Sequence, residues 1–465
     1  MQKKYRICFL ASNNLQNDPR VQKQAKGAAK HGYESIAIGF YWIAPGLELP
    51  EKEQMDGYEI QRVLYQPTKI IRSQPDALAI ISGIFWRLVL SLLWFRTIGL
   101  FKVKSENDRR LHKEESESIK NSQTNKPPKS FLGKIFGLAY SARAKFQQLG
   151  ISWYGTFDYY TSMTIGLADK AIELEPNIVH CNDLDSLWAG YLVKQKTGAK
   201  LVFDAHEFWL DMGLKVPRPY IFAFKLSEKY LLKKIDGYVT VNQPILEKTE
   251  SYYGHKFTVP ATVIYNCPNY EEIKFAKPNQ QKIKILYQGR YALNRGLEQL
   301  TESARYLPEN AEISFRAIKD PAIEKKLIDI TKQYRVESKV KFLNAAPMNA
   351  MVKAAKSADI GVIPYVPVHI DNQLCSPNKL FEYMMAGLAL AVSDLPVLRY
   401  FVKKYKNGVL FNPRSPQSIA QALNYLISHP EKLSQMKRNS LKAAEELNWE
   451  KEQKKLINIY RTIIN

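Results

Sequence analysis

Cysteine is scarce: Cys8, Cys181, Cys267 and Cys375 are the four in 465 residues, each far from the others and none in a Cys-x-x-Cys pair. That spacing argues against a zinc ribbon and a disulfide framework, and fits a reducing compartment. Acidic residues are in deficit, 45 Asp and Glu against 67 Lys and Arg, for a net charge of +22. Such a surplus points to anionic partners: nucleotide, phosphate, nucleic acid or anionic lipid. No recognition motif accompanies the charge, so nucleic acid is not expected. His206 has no second histidine at ligand spacing, and no metal site is expected. Residues 1–11 begin basic, but Tyr5 to Ala11 is too short for a signal-peptide core and reads as a strand. A repeat of short period is also missing.

What is present is a 45% hydrophobic chain, long enough for two or more domains. Arg6 to Ala11 reads as a buried strand, Ser12 to Pro19 as a polar loop, Arg20 to Lys30 as a helix and Glu34 to Gly39 as the next strand. This order opens a doubly wound α/β domain, whose first loop lies at the ligand-binding edge of the sheet. The loop carries no G-x-G-x-x-G, which disfavours a nicotinamide or flavin dinucleotide. Ala77 to Phe101 is apolar and aromatic but interrupted by Arg87 and Arg96. It predicts a helix lying in a membrane interface, or else a core or dimer helix, rather than a spanning helix. Lys102 to Ser130 reads as a charged linker. Regular α/β order returns at Asp158, with a strand then a loop over Asn177–Asp183 and strands at Lys200–Asp204, Gly237–Val241 and Thr262–Tyr265. A polar, weakly patterned stretch over Tyr270–Lys282 marks the domain junction.

A second α/β series starts at Lys284 and continues through strands at Glu312–Ala317, Val340–Phe342, Ile360–Pro364 and Gly408–Phe411. Its centre is Ser376-Pro377-Asn378-Lys379-Leu380-Phe381-Glu382-Tyr383-Met384-Met385-Ala386-Gly387. This reads as a short buried helix, capped by Ser376, started by Pro377 and stopped by Gly387. Asn378 and Glu382, four apart, share one face. Glu382 then either holds a ligand hydroxyl pair or pairs with a core Arg or a backbone donor. Arg290 and Arg295 bracket a loop after a strand, an arrangement suited to a diphosphate or merely to surface charge. His206, between Asp204 and Glu207 at a strand end, is placed to reach a ligand. Trp449 to Ile464 forms a last amphipathic helix.

Gly289-Arg290 with Arg295-Gly296, the run Ser376 to Met384, and Ser393-Asp394-Leu395-Pro396 together resemble the retaining GT-B glycosyltransferases of family 4, the glycosyl transferases group 1. Asn17-Asp18-Pro19-Arg20-Val21 and Asp204-Ala205-His206-Glu207 resemble the amino-terminal half of that family. The resemblance covers most of the chain except about residues 66–150. It implies a GT-B α/β architecture, two Rossmann-like domains facing a cleft, with an inserted basic and apolar segment in the first. Residues 1–270 would form the acceptor-side domain, 283–445 the nucleotide-sugar domain, and 446–465 a helix crossing back to the first.

The resemblance further implies roles. Arg290 and Arg295 would neutralise a diphosphate, Glu382 would hold ribose hydroxyls, and His206 would lie near the anomeric carbon. Gly289, Ser376, Pro377, Asn378, Lys379 and Leu380 would line the donor site, and Asn17, Asp18 and Arg20 the acceptor-side loop. The donor would be a nucleoside-diphosphate sugar used without metal or cofactor. The acceptor would be a glycan or lipid-linked acceptor in cell-surface polysaccharide or glycolipid synthesis. The protein would be cytoplasmic, peripheral on the inner, anionic face of the cell membrane. Two departures qualify this. The family's E-x7-E pattern has its first glutamate where this chain has Leu374, leaving the acidic donor contact absent or supplied by a residue such as Asp371. A Gly-rich turn is replaced by Phe315-Arg316-Ala317-Ile318. A nucleotide-sugar epimerase of the same fold and a non-catalytic nucleotide-sugar-binding module are the alternatives.

Overall fold

The computed structural model describes residues 4–41, 48–64, 153–208, 218–254 and 256–464, without the side chains of 153–161, 218–223 and 293. The segment at about 66–150, with its expected membrane contact, lies outside the described residues. Among the described residues no helix is long and apolar enough to cross a membrane.

The first half is an eight-stranded sheet. Its elements are β1 (Arg6–Leu10), α1 (Pro19–Lys30), β2 (Glu34–Tyr41), β3 (Lys52–Gln54), β4 (Glu59–Leu64), α2 (Trp153–Glu173), β5 (Ile178–Asn182), α3 (Leu184–Thr197), β6 (Lys200–Ala205), α4 (Arg218–Leu231), β7 (Gly237–Thr240), α5 (Gln243–Tyr253) and β8 (Ala261–Val263). Strand order is β3-β4-β2-β1-β5-β6-β7-β8, parallel except for β3 against β4. Ile7, Cys8, Phe9 and Leu10 are fully buried on both faces of β1, as a central parallel strand requires. The order reverses between β1 and β5, which pair directly. The carboxyl ends of these two strands therefore open a crevice of the kind where such sheets bind ligands.

The second half repeats the logic: β9 (Ile283–Arg290), α6 (Leu297–Ser303), β10 (Ala311–Ile318), α7 (Pro321–Tyr334), β11 (Val340–Asn344), α8 (Met351–Ala355), β12 (Ile360–Ile363), α9 (Ile370–Leu374), α10 (Asn378–Met385), β13 (Ala389–Ser393), α11 (Pro396–Tyr405), β14 (Gly408–Phe411), α12 (Pro416–Ser428) and α13 (Pro430–Glu446). Its order is β11-β10-β9-β12-β13-β14, all parallel, with the reversal between β9 and β12. The last helix, α14 (Trp449–Ile464), packs Leu456, Ile459 and Tyr460 into the first sheet's core with Ile7, Phe9 and Val202.

Several elements differ from the sequence expectation. The helix expected over Ser376–Gly387 begins only at Asn378, with Pro377 in extended conformation and Ser376 making no cap. The Ser376 hydroxyl instead donates to the Val241 carbonyl across the cleft, at 3.1 Å. A contact between lobes has displaced a local cap. Between β11 and β12, where Asn349–Ser357 reads as one helix in the sequence, the chain divides into a 3-10 turn at Met348–Ala350 and the short α8. Five elements carry no clear signal in the sequence: β3, β4, α5, α9 and α11.

Candidate functional site

The amino-terminal wall of the cleft is a buried polar network at the ends of β5 and β6. Asp204, the penultimate residue of β6, is fully buried. Arg20 grips it with two bonds, Nε to Oδ2 at 2.9 Å and Nη2 to Oδ1 at 2.7 Å, and donates a third to the Ile264 carbonyl. Gln24, one turn along α1, donates to the same carboxylate. Burial opposes the charge of Asp204, but Arg20 and then His206 outweigh it and hold its pKa well below the ordinary value.

His206 stands just past β6. Its Nδ1 faces Asp183 Oδ2 at 3.1 Å and its Nε2 faces Asn182 Oδ1 at 3.2 Å, with Asp204 Oδ2 at 3.5 Å. The Asn182 amide nitrogen donates to the Leu10 carbonyl, which leaves its oxygen as the acceptor. Both ring nitrogens therefore donate, which makes the ring an imidazolium. Burial acts against that charge, yet Asp183 and Asp204 raise the pKa to about 10. Asp183 achieves its placement in a backbone conformation, φ 65° and ψ 164°, that favours glycine.

The carboxyl-terminal wall is cationic. Gly289 and Arg290 end β9, and Arg295 closes the short turn that follows. Gly296 has φ 63°, and any side chain there would collide with the Pro364 carbonyl. Arg295 lies 4.0 Å from the centre of the Tyr365 ring. Lys379, in the first turn of α10, places Nζ 4.0 Å from the Tyr287 ring centre and 5.1 Å from that of Tyr365. Burial first, then Arg295, depress its pKa well below the usual lysine value. Glu382, one turn on, meets neither an Arg nor a backbone donor among the described residues. Gln288 Nε2 approaches it at 3.4 Å, and burial raises its pKa.

Between the walls lies a cavity of about 610 Å³. Of the residues singled out in the sequence, it brings together Asp18, Arg20, His206, Gly289, Arg290, Arg295, Ser376, Pro377, Asn378, Lys379 and Glu382. Leu380 is not among the lining residues; it is fully buried in the core around α10. Asn17 is exposed and outside the lining. Asp18 is committed to structure: it caps α1 by accepting from Val21 N–H, and it accepts from Asn13. Asn378 accepts from Asn266 of the other half. Leu374 is not in the lining, and its carbonyl accepts from Asn242 at 2.7 Å. Asp371, three residues earlier, does line it and accepts from the Phe208 backbone N–H at 3.2 Å. Glu207 faces the open cleft, where the enclosing walls, then Asp371 and Asp183, raise its pKa to about 7. Arg316 turns away and donates to the Ala354 carbonyl. Sequence reasoning missed Asp183, Asn182, Gln288 and Tyr365. Only strand-end position could have pointed to them. Among the described residues no group of His, Cys, Asp or Glu is arranged to hold a metal ion.

The chain is similar in sequence and in shape to known proteins. Residues 269–443 match the family described as glycosyl transferases group 1, and residues 136–272 match glycosyltransferase family 4. An uncharacterized glycosyltransferase of Methanocaldococcus jannaschii is 29% identical over 182 residues, 38% of this chain. The match spans 44% of that relative, so under half its length is represented. Sucrose-phosphate synthase from Thermosynechococcus elongatus superposes with a TM-score of 0.66 at 14% identity, over 99% of both chains. Anabaena HepE, solved in complex with UDP and glucose, superposes with a TM-score of 0.58 at 12% identity, over 98% of this chain and all of its own. These structural likenesses establish the GT-B fold.

Proposed function

From a GT-B chain that belongs to the group 1 glycosyltransferases, we propose a retaining enzyme that moves a sugar from a nucleoside diphosphate to a hydroxyl of a glycan or lipid-linked acceptor. The observation that carries this is the division of the cleft: Arg290, Arg295 and Lys379 on one wall, and the His206 imidazolium with Asp183 on the other. The binding of UDP and glucose by a neighbour of the same fold supports a nucleotide-sugar donor. Transfer places growing negative charge on the leaving diphosphate, and preorganised cations stabilise it as the bond to the anomeric carbon breaks. This lets the chain's own cations do what a divalent ion would otherwise do, and we propose metal-independent turnover. The acceptor hydroxyl attacks from the face the diphosphate leaves, and its proton passes to a leaving phosphate oxygen.

Within this scheme His206 is no general base, because both its nitrogens already donate to the protein. It supplies a fixed positive charge beside the donor sugar. Glu382 takes ribose hydroxyls, with Gln288 steadying it. Asp371 and Glu207 are the carboxylates placed to contact the sugar where Leu374 cannot. Cell-surface polysaccharide or glycolipid synthesis, at the cytoplasmic face of an anionic membrane, is the setting proposed from the basic charge and the apolar segment at 77–101.

Two measurements test the assignment. Thermal shift with UDP, GDP and ADP and their sugars should show stabilisation by one base. Arg290→Ala combined with Arg295→Ala should abolish that shift and reduce turnover at least about 100-fold. Near-normal turnover in the double variant would refute the diphosphate-binding role of both arginines. Interconversion of the donor sugar without transfer would point instead to an epimerase.

A further inference from the structure

Resting on the nucleotide-sugar reading of the cleft, we propose that Lys379 is a proton-uptake site coupled to the donor diphosphate: the amine is neutral in the free protein and becomes an ammonium as the anion binds. The geometry is that of a cation site without its anion. Lys379 is 7% exposed. Among the described residues its Nζ has two phenol rings for neighbours, Tyr287 and Tyr365, and no carboxylate or carbonyl at bonding distance. Arg295 shares the Tyr365 ring from 4.0 Å, so two cations would sit on one aromatic side chain. Gly289 makes room for the amine. A Cβ there would fall 2.8 Å from Nζ, and the residue has φ 145°. The amine thus lies against the backbone turn whose next residue is Arg290.

The charged and titratable groups around Lys379 come from five places in the fold. Tyr287 on β9 and Tyr365 after β12 have pKa values raised by burial, and both phenols are neutral. Burial pushes the Cys375 thiol up to about 12, so it too is neutral. Arg295 is a permanent cation that repels a second one. Glu382, on the same helix, is the attractive carboxylate, and burial has raised its own pKa. A buried ammonium without a close partner is costly, and neutralisation is the usual outcome. A diphosphate reverses the balance by bringing several negative charges and oxygen acceptors within reach. Lys379 would then become charged at a pH where it was not, and binding would consume a proton.

The test is isothermal titration calorimetry of the full chain at pH 8 with UDP, GDP and ADP, each in HEPES and in Tris, phosphate-free buffers of different ionisation heat. At that pH the terminal phosphate, with a pKa near about 6, is already ionised and takes no part. The nucleotide that binds should take up close to one proton, and its affinity should weaken toward tenfold per pH unit on the alkaline side. In Lys379→Met the uptake should vanish and the affinity should be flat with pH. A melting transition at or above that of the wild type would show that this variant is folded; should it be lower, Lys379→Arg, whose charge is permanent, should likewise lose the uptake, and uptake retained there would overturn the inference by assigning the proton to Glu207 or Glu382. Tight binding with no buffer dependence would overturn the inference and leave the donor reading standing. Failure of all three nucleotides to bind would overturn both.

Discussion

Asp183 occupies a backbone region that a non-glycine residue enters at a cost of about 1–3 kcal/mol. Its return is the bond from His206 Nδ1, and its own N–H donates to the Asp204 carbonyl at 2.9 Å. Asp183→Asn should lower the His206 pKa from about 10 toward the ordinary histidine range, readable by NMR titration of the imidazole. An unchanged titration would assign the shift to Asp204 alone. Arg20 shows how a residue can belong to the cleft and yet act through another group. Its guanidinium is spent on Asp204, so it positions His206 rather than touching an acceptor. Arg20→Ala strips the buried Asp204 carboxylate of its two-pronged guanidinium partner, leaving Gln24 and His206, and should destabilise by up to about 3–5 kcal/mol, measured by urea unfolding. Glu228 lies away from the cleft, bonded by the Tyr253 hydroxyl, with its pKa raised to about 7 by burial. An acid with a raised folded pKa loses stability as pH rises through that interval. Glu228→Gln should therefore stabilise at pH 8, on the order of 3 kcal/mol, and do little at pH 4.

At the scale of elements, α14 links the last residues of the chain to the first sheet. Tyr460 hydroxyl and His180 Nδ1 are 2.8 Å apart, and His180 Nε2 is 3.5 Å from Asp204 Oδ2. The helix thereby reaches the network that holds His206. Tyr460→Phe should cost about 1 kcal/mol. Leu456→Ala, which empties a packed site on the same face, should cost about 2–5 kcal/mol, and the difference can be read from melting curves. The amphipathic pattern of α14 is plain in the sequence, as are the central strands, whose continuous apolar runs admit few alternatives. β3, β4 and α9 are not, being three, six and five residues long, with boundaries set by neighbours rather than by propensity. The start of α10 departs from its local signal for a similar reason. Ser376 is a good cap in isolation, but its hydroxyl is claimed by Val241 of the facing half.

For the whole molecule, bonds from one half to the other set the cleft's geometry. Asn242 to Leu374, Ser376 to Val241, Phe208 to Asp371 and Asn266 to Asn378 all cross it. The pH response is likewise a property of the assembled network. His206, with a folded pKa raised above its unfolded value, contributes stability that is full below pH 6.5 and is lost as pH rises through about 10. Asp204 has the opposite sign: its contribution is present above its unfolded pKa and lost as pH falls through its depressed folded value. Melting temperature should therefore fall between pH 7 and pH 10, and Asp183→Asn should flatten that fall. A wild-type curve level across this range would exclude a charged His206 in the folded protein.

The sequence by itself determined the two α/β series, the cationic loop at Arg290 and Arg295, and the helix bearing Lys379 and Glu382. Hydrophobic periodicity and turn chemistry are local, and a linear reading captures local physics. Only the tertiary structure decided which carboxylates answer His206, that Leu380 is core, and that Lys379 faces two phenols with no acid at bonding distance. Those outcomes depend on residues from separate elements meeting near the two strand-order reversals. Burial and charge there are sums over many elements, which no single stretch of chain contains.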